Sequence, residues 1–387
     1  MLARMSTTKE PKPDARSVTS FRAFIRVEFA LFIGLGTAAI FLATGSRLVE
    51  NIAHPFWLLV IFFWLLGVVL WSAMSVVRHA DCLAIKCGEP YGTLILTLAA
   101  ISIEVMMIST AMLHGANNPT LARDAMFAVI MIALNGLVGL SLLLGGLRHR
   151  EQHYNLQGTN SYLNVIMTLA VLGLILPNFT TSTSGPTLSN EQQVFLAVMS
   201  IALYGIFLLI QTMRHRQYFV ETKRAAAAEL GHYQLRMRST AFHAVMLFLY
   251  LIAVVLLAEK FAIPLDNGIE RFGMPQAFGG AIIAALVLAP EALSAIGATL
   301  GNQLQRSVNI LLGSVLATIG LTIPAILTIG LITKRSVVLG VEGGNLPLLV
   351  LTLAVSLVTF ASGRTNILQG CIHLLLFAVF LLLIFFP

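Results

Sequence analysis

Apolar runs long enough to cross a ~30 Å hydrocarbon core recur from Val27 to the C-terminus. A backbone inside lipid has no water to bond, so runs of this length fold as helices that satisfy their own N–H and C=O groups. Read against Gly, Pro and charge clusters, they define an all-α polytopic membrane protein of eleven spanning helices. These are expected near 27–44, 57–77, 91–113, 125–147, 162–179, 192–212, 241–262, 274–300, 306–333, 346–362 and 368–386. The third is announced by Gly88-Glu89-Pro90, a turn followed by a helix-start signal. Only 11% of the 387 residues are charged, against about 25% in a soluble domain.

The charges that remain orient the helices. With the N-terminus inside, 18 of the 24 Lys and Arg residues fall in inside segments and 6 in outside loops. That bias predicts a cytoplasmic N-terminus, an extracytoplasmic C-terminus and an odd number of helices. The net charge of +7 is spread over loops, so it reads as orientation and not as a nucleic-acid surface. The polar, basic first 26 residues predict a cytoplasmic tail without a cleaved signal peptide.

Two acids break the rule that charge stays outside the apolar runs. Glu104 lies about mid-way along the third, and Glu291 near the middle of the eighth. A carboxylate there costs roughly 2.5–3.5 kcal/mol on insertion scales, so it persists where it meets a cavity, a partner or an ion. Pro290 directly precedes Glu291, and a proline frees a backbone carbonyl in the preceding turn. Ser294 shares the face of Glu291, Ser314 and Thr318 share a face of the ninth helix, and Asn135 is the one strongly polar residue in the fourth. Carboxylates, hydroxyls, an amide and free carbonyls form an all-oxygen set suited to a hard cation such as Ca²⁺. His243 and His373, near helix ends, read as interfacial packing.

The two glutamates also mark an internal repeat. Arg123 precedes Asn135 by twelve positions, and Arg306 precedes Thr318 by twelve. This divides the chain into a tail (1–26), a leading helix (27–56), a first five-helix repeat (57–212), a basic cytoplasmic loop (213–240) and a second repeat (241–387). Five is odd, so the halves insert with opposite orientation. Inverted repeats with a midplane site at their interface are the architecture of many secondary transporters. The basic loop reads equally as a surface helix or a linker. No Walker A pattern supports ATP-driven pumping, no G-x-S-x-G motif supports an enzyme, and no cofactor is expected. Cys82, Cys87 and Cys371 lack the second pair that a zinc site needs and read as inert thiols.

The stretches "CGEPYGTLILTLAAISIEV", "LAPEALSAIGATLGNQLQRSVNILLGSVLATIGLTIP" and "SGRTNILQGCIHLLLF" closely resemble the signatures of ChaA-type bacterial calcium/proton antiporters, in the calcium/cation antiporter superfamily. The resemblance spans roughly residues 78 to 387. It implies that Glu104 and Glu291 are the repeat acids that alternately bind cation and proton. It also implies that Ser294 and Gly313-Ser314 lie near the cation and that Asn135 is the first-repeat Asn. Two positions depart from the wider superfamily: Ala100-Ile101 and Val287-Leu288 stand where Gly-Asn is usual. Two amide ligands are thereby lost, so Na⁺ or K⁺ exchange stands beside Ca²⁺.

The expectation is a secondary antiporter of the bacterial inner membrane that exports Ca²⁺, or Na⁺ or K⁺, against protons. Its partners are the lipid bilayer and the transported cations, with the oligomeric state open. A monovalent cation/proton antiporter with little calcium activity, a cation channel, and a receptor or scaffold are the alternatives.

Overall fold

Each apolar run does become a helix. The computed structural model describes residues 27–51, 54–88, 91–114, 119–219 and 238–386. The N-terminal tail, Glu89 and Pro90, and most of the basic loop lie outside the described residues. Eleven helices are present among them: α1 (Phe29–Asn51), α2 (Pro55–Cys87), α3 (Tyr91–His114), α4 (Leu121–His149), α5 (Leu156–Phe179), α6 (Asn190–Arg214), α7 (Thr240–Arg271), α8 (Ala277–Leu300), α9 (Leu304–Thr333), α10 (Asn345–Thr359) and α11 (Ile367–Phe385). Eight of these are long and apolar enough to cross a membrane, and the apolar stretches of α1, α3 and α10 are shorter.

Several ends differ from the hydropathy expectation, because caps and packing, not hydropathy, stop a helix. At 33 residues α2 runs on to Cys87, past the expected end at 77, and brings Arg78, His79 and Asp81 into the helix. A helix of that length spans ~50 Å, so its last turns extend beyond the hydrocarbon. The start of α5 is earlier than expected because Asn155 caps it, its side chain accepting from the Gly158 N–H at 3.0 Å. The last turns of α7 continue through Pro264 to Arg271.

The packing relates the two halves. Down the middle, α2 lies along α7 and α4 packs on α9. Around these, α4 also contacts α8 and α11, and α9 contacts α3 and α6. Exchanging α2–α6 for α7–α11 in order maps this set of contacts onto itself. Both α4 and α9 widen into a π turn, at Met131–Leu137 and Thr318–Thr322, which re-aims the side chains that follow. The leading helix α1 lies outside this pairing, on the seam between α2 and α7.

Small residues set the closest approaches, as expected where lipid supplies no hydrophobic drive between helices. A Cβ on Gly370 of α11 would stand 2.6 Å from the Leu143 nitrogen of α4, and one on Gly280 of α8 would stand 2.7 Å from the Ala125 nitrogen. Both ends of the bundle are tied by extended segments. At one, Gln152–His153 pairs antiparallel with Arg364–Thr365. At the other, the segment 335–341 crosses the helix ends, with Val338 N–H donating to Pro119 O at 3.1 Å and Val341 N–H to Leu174 O at 2.8 Å.

Candidate functional site

Helices α3 and α8 bring Glu104 and Glu291 to one cavity of about 370 Å³. Glu104 is 2% exposed. Its Oε2 accepts from the Thr318 hydroxyl on α9 at 2.8 Å, while its Oε1 is buried with no hydrogen-bond partner among the described residues. Glu291 follows Pro290 inside α8, and its Oε2 is likewise buried and unpartnered. Burying a carboxylate oxygen without a partner is strongly unfavourable. Two of them in one cavity form a place that calls for a proton or a cation.

The sequence-derived set divides around this cavity. Ser294 and Ser314 line it, and Thr318 reaches it through Glu104. Asn135 is not among the residues that line it. Its amide donates to Thr352 Oγ1 on α10 at 2.8 Å and its carbonyl oxygen meets His373 Nδ1 on α11 at 3.2 Å. His373 is fully buried, not interfacial, and its Nε2 lies 3.0 Å from Thr359 Oγ1. This polar chain ties α4 to α10 and α11. We expect Asn135→Ala to remove one hydrogen-bond partner each from Thr352 Oγ1 and His373 Nδ1 and to cost stability of about 1–3 kcal/mol, with cation affinity changed less than twofold. Thermal unfolding in detergent and cation titration separate the two effects.

Other residues enter the cavity that hydropathy reading passed over. Asp81 does so from the extension of α2, and Arg306 and Asn309 from the first turns of α9. Tyr162 on α5 lines it with Gln211 on α6, whose amide donates to the Tyr162 hydroxyl at 2.6 Å. The long α2 is the one signal that could have found Asp81, through the unbroken run "VVRHADCLAIK" after its apolar core. Ala100, Ile101 and Val287 form apolar wall.

These lining positions have a direction. Asp81 and Gln211 are near the ends of α2 and α6, Arg306 and Asn309 near the start of α9, Tyr162 near the start of α5, and Ser294 near the end of α8. All lie toward the same end of the bundle, the one tied by Gln152–His153. The segment 335–341 crosses the opposite end. Among the described residues, no three His, Cys, Asp or Glu side chains are grouped so that they could hold a resident metal ion, and the three cysteines are free thiols.

Comparison with known proteins places these features. Residues 57–213 and 242–386 match the sodium/calcium exchanger protein family. The chain is 44% identical over 322 residues to a protein of Sinorhizobium fredii named putative ionic transporter y4hA, covering 83% of this chain and 87% of that one. It is 40% identical over 319 residues to the sodium-potassium/proton antiporter ChaA of Escherichia coli, covering 82% and 86%. Among solved structures, the Ca²⁺/H⁺ antiporter protein YfkE superposes with a TM-score of 0.70 at 18% identity, over 93% of this chain and 100% of that one. The H⁺/Ca²⁺ exchanger CAX gives 0.66 at 17% identity, over 93% and 89%. At those identities the structural likeness concerns the fold.

Proposed function

Because the chain belongs to the sodium/calcium exchanger protein family, we propose that it is a cation/proton antiporter that works by alternating access at Glu104 and Glu291. The observation that carries this reading is the pair of buried, unpartnered carboxylate oxygens in one cavity. Each satisfies its oxygen with a proton or with a shared cation, and the two occupants exclude one another. A carrier with both carboxylates ionised and no cation is the costly species. Reorientation is therefore confined to the cation-loaded and protonated forms, and that restriction couples the two fluxes.

The positive-inside count assigns the end of the bundle toward which the lining residues lie to the cytoplasm. We read the cavity as reached from that side, an inward-facing state, with the segment 335–341 on the outer side. The repeat relation inferred from sequence fits the exchangeable contacts of α2–α6 and α7–α11, and it makes the segment 150–155 the inner counterpart of 335–341. In an outward-facing state the two exchange roles.

The cargo reading has two branches. Carboxylates and hydroxyls suit Ca²⁺. The apolar wall at Ala100, Ile101 and Val287 withholds oxygen ligands, a loss that a monovalent ion, with half the charge and a weaker hydration shell to replace, tolerates better than Ca²⁺ does. The sodium-potassium/proton antiporter, at 40% identity, supports that second branch. Purified protein in liposomes with an imposed proton gradient decides between them. We expect cation-dependent collapse of the gradient, with Na⁺, K⁺, Ca²⁺ and Mg²⁺ tested separately. Flux without proton coupling would instead make the protein a channel, and binding without flux a receptor.

A further inference from the structure

A second buried group of titratable side chains lies at the seam where α1 meets α2 and α7. Glu28, immediately before α1, is 2% exposed. Its Oε2 accepts from Arg78 Nη2 at 2.5 Å and from the Tyr250 hydroxyl at 3.0 Å, and it lies 3.2 Å from His79 Nε2. The other nitrogen of His79, Nδ1, faces Nδ1 of His243 at 3.0 Å. His243 is 5% exposed, and its Nε2 is buried with no partner. His243 is thus the end of a polar chain and not interfacial packing.

His79 Nε2 faces both Glu28 Oε2 at 3.2 Å and Arg78 Nη2 at 3.1 Å. Arg78 Nη2 makes its shorter contact with Glu28 Oε2, at 2.5 Å, so we read His79 Nε2 as carrying the hydrogen and donating to Glu28, since a lone pair there would repel the carboxylate. In the neutral ring His79 Nδ1 is then an acceptor. The contact between the two rings accordingly requires the hydrogen on His243 Nδ1. That leaves His243 Nε2 as a bare lone pair in a buried position, where a further proton can bind.

We infer that the Glu28–His79–His243 chain is a proton-binding site separate from the exchange glutamates, with His243 Nε2 as acceptor, and that its occupancy loosens the α2–α7 seam at the cytoplasmic end. A proton there makes the ring an imidazolium whose new N–H has nothing to donate to. A buried charged donor without a partner is strongly unfavourable, so the first turn of α7 moves to reach water. The surrounding charges act in the same sense on balance. Arg78 and Lys86 on α2 oppose the new charge and Glu28 favours it, while Asp81 lies further along α2 and Arg238 stacks on the Phe242 ring at 4.6 Å. Cys82 and Tyr250 are the other titratable neighbours. Among its described residues, α3, packed on both helices, adds Tyr91 at its start, Glu104, which belongs to the cavity, and His114 at its far end.

The link to transport rests on the antiport reading: α2 carries His79 and, two residues on, the cavity residue Asp81. Acid on the cytoplasmic side should therefore slow exchange. The test has two arms. In the first, hydrogen–deuterium exchange of the full-length protein is followed at residues 240–246 as pH falls from about 8 to about 5.5, across the histidine range. Divided by the intrinsic amide rate at each pH, exchange in wild type should rise at least threefold, and this rise should be absent from His243→Gln. This arm needs no transport and stands whatever the cargo. If His243→Gln does not fold, the wild-type rise alone carries the test, and flat exchange in wild type overturns the site. In the second, maximal exchange at saturating cation is measured against cytoplasmic-side pH. His243→Gln and His79→Gln should retain half-maximal rate to a pH about one unit lower than wild type, with the protons moved per cation unchanged. Superimposable profiles in both variants overturn the coupling while leaving the glutamate mechanism intact.

Discussion

Glu104→Gln and Glu291→Gln should each reduce cation/proton exchange to the background of protein-free liposomes. Glutamine keeps the volume and part of the hydrogen bonding but removes the charge that binds a cation and the group that carries a proton. Losing a buried charge-assisted contact is worth up to about 3 kcal/mol, or roughly 100-fold in cation affinity. Coupling fails beyond that factor, since an amide has nothing to titrate. Insertion and folding should survive, because a neutral amide is less costly in lipid than a carboxylate. Smaller losses, chiefly in apparent affinity, should follow Ser294→Ala and Ser314→Ala on the cavity wall. Thr318→Ala should fall between the two groups, because it removes the donor on Glu104 Oε2. Exchange at the wild-type rate in either glutamine variant, with the protein monodisperse, would reduce that glutamate to a structural role.

Raising the pH should tighten cation binding and then cease to matter. A protonated carboxyl offers the cation no charge, so protons compete directly for the oxygens of Glu104 and Glu291. The sign follows: affinity is weakest in acid, climbs while the carboxylates release protons, and levels off once they are ionised. The slope separates the two cargo branches. An ion that needs both carboxylates, such as Ca²⁺, gains about two decades of affinity per pH unit and releases about two protons. A monovalent ion satisfied by one carboxylate gains about one decade and releases about one. Calorimetry in buffers of different ionisation enthalpy counts the protons on purified protein. Affinity independent of pH, with no proton released, would remove the support for exchange at these two residues. Because His243 lies outside the cavity, His243→Gln should leave this slope unchanged.

Sequence alone determined the class of fold, and the reason is the solvent. Lipid allows a long apolar run one outcome, so eleven runs announce eleven helices, and the same helices appear in the structure at 29–51 through 367–385. It also singled out Glu104 and Glu291, because an acid inside such a run contradicts its surroundings and needs a partner. Neither inference depends on what the helix packs against. The facing of Asn135 does. Periodicity places it on a face of α4, yet the groups that hold it, Thr352 and His373, are 217 and 238 residues away, and the π turn at Met131–Leu137 re-aims that face. Asp81 and Arg306 are ordinary charges at helix ends by sequence, and they become cavity residues only because α2 runs past its apolar core and α9 begins beside it. The Glu28–His79–His243 chain is likewise assembled from α2, α7 and the residue that precedes α1. Hydrophobic length is a local property that the chain carries in itself, whereas which polar groups share a buried space follows from how the helices pack, and that is set by contacts between residues far apart in the chain.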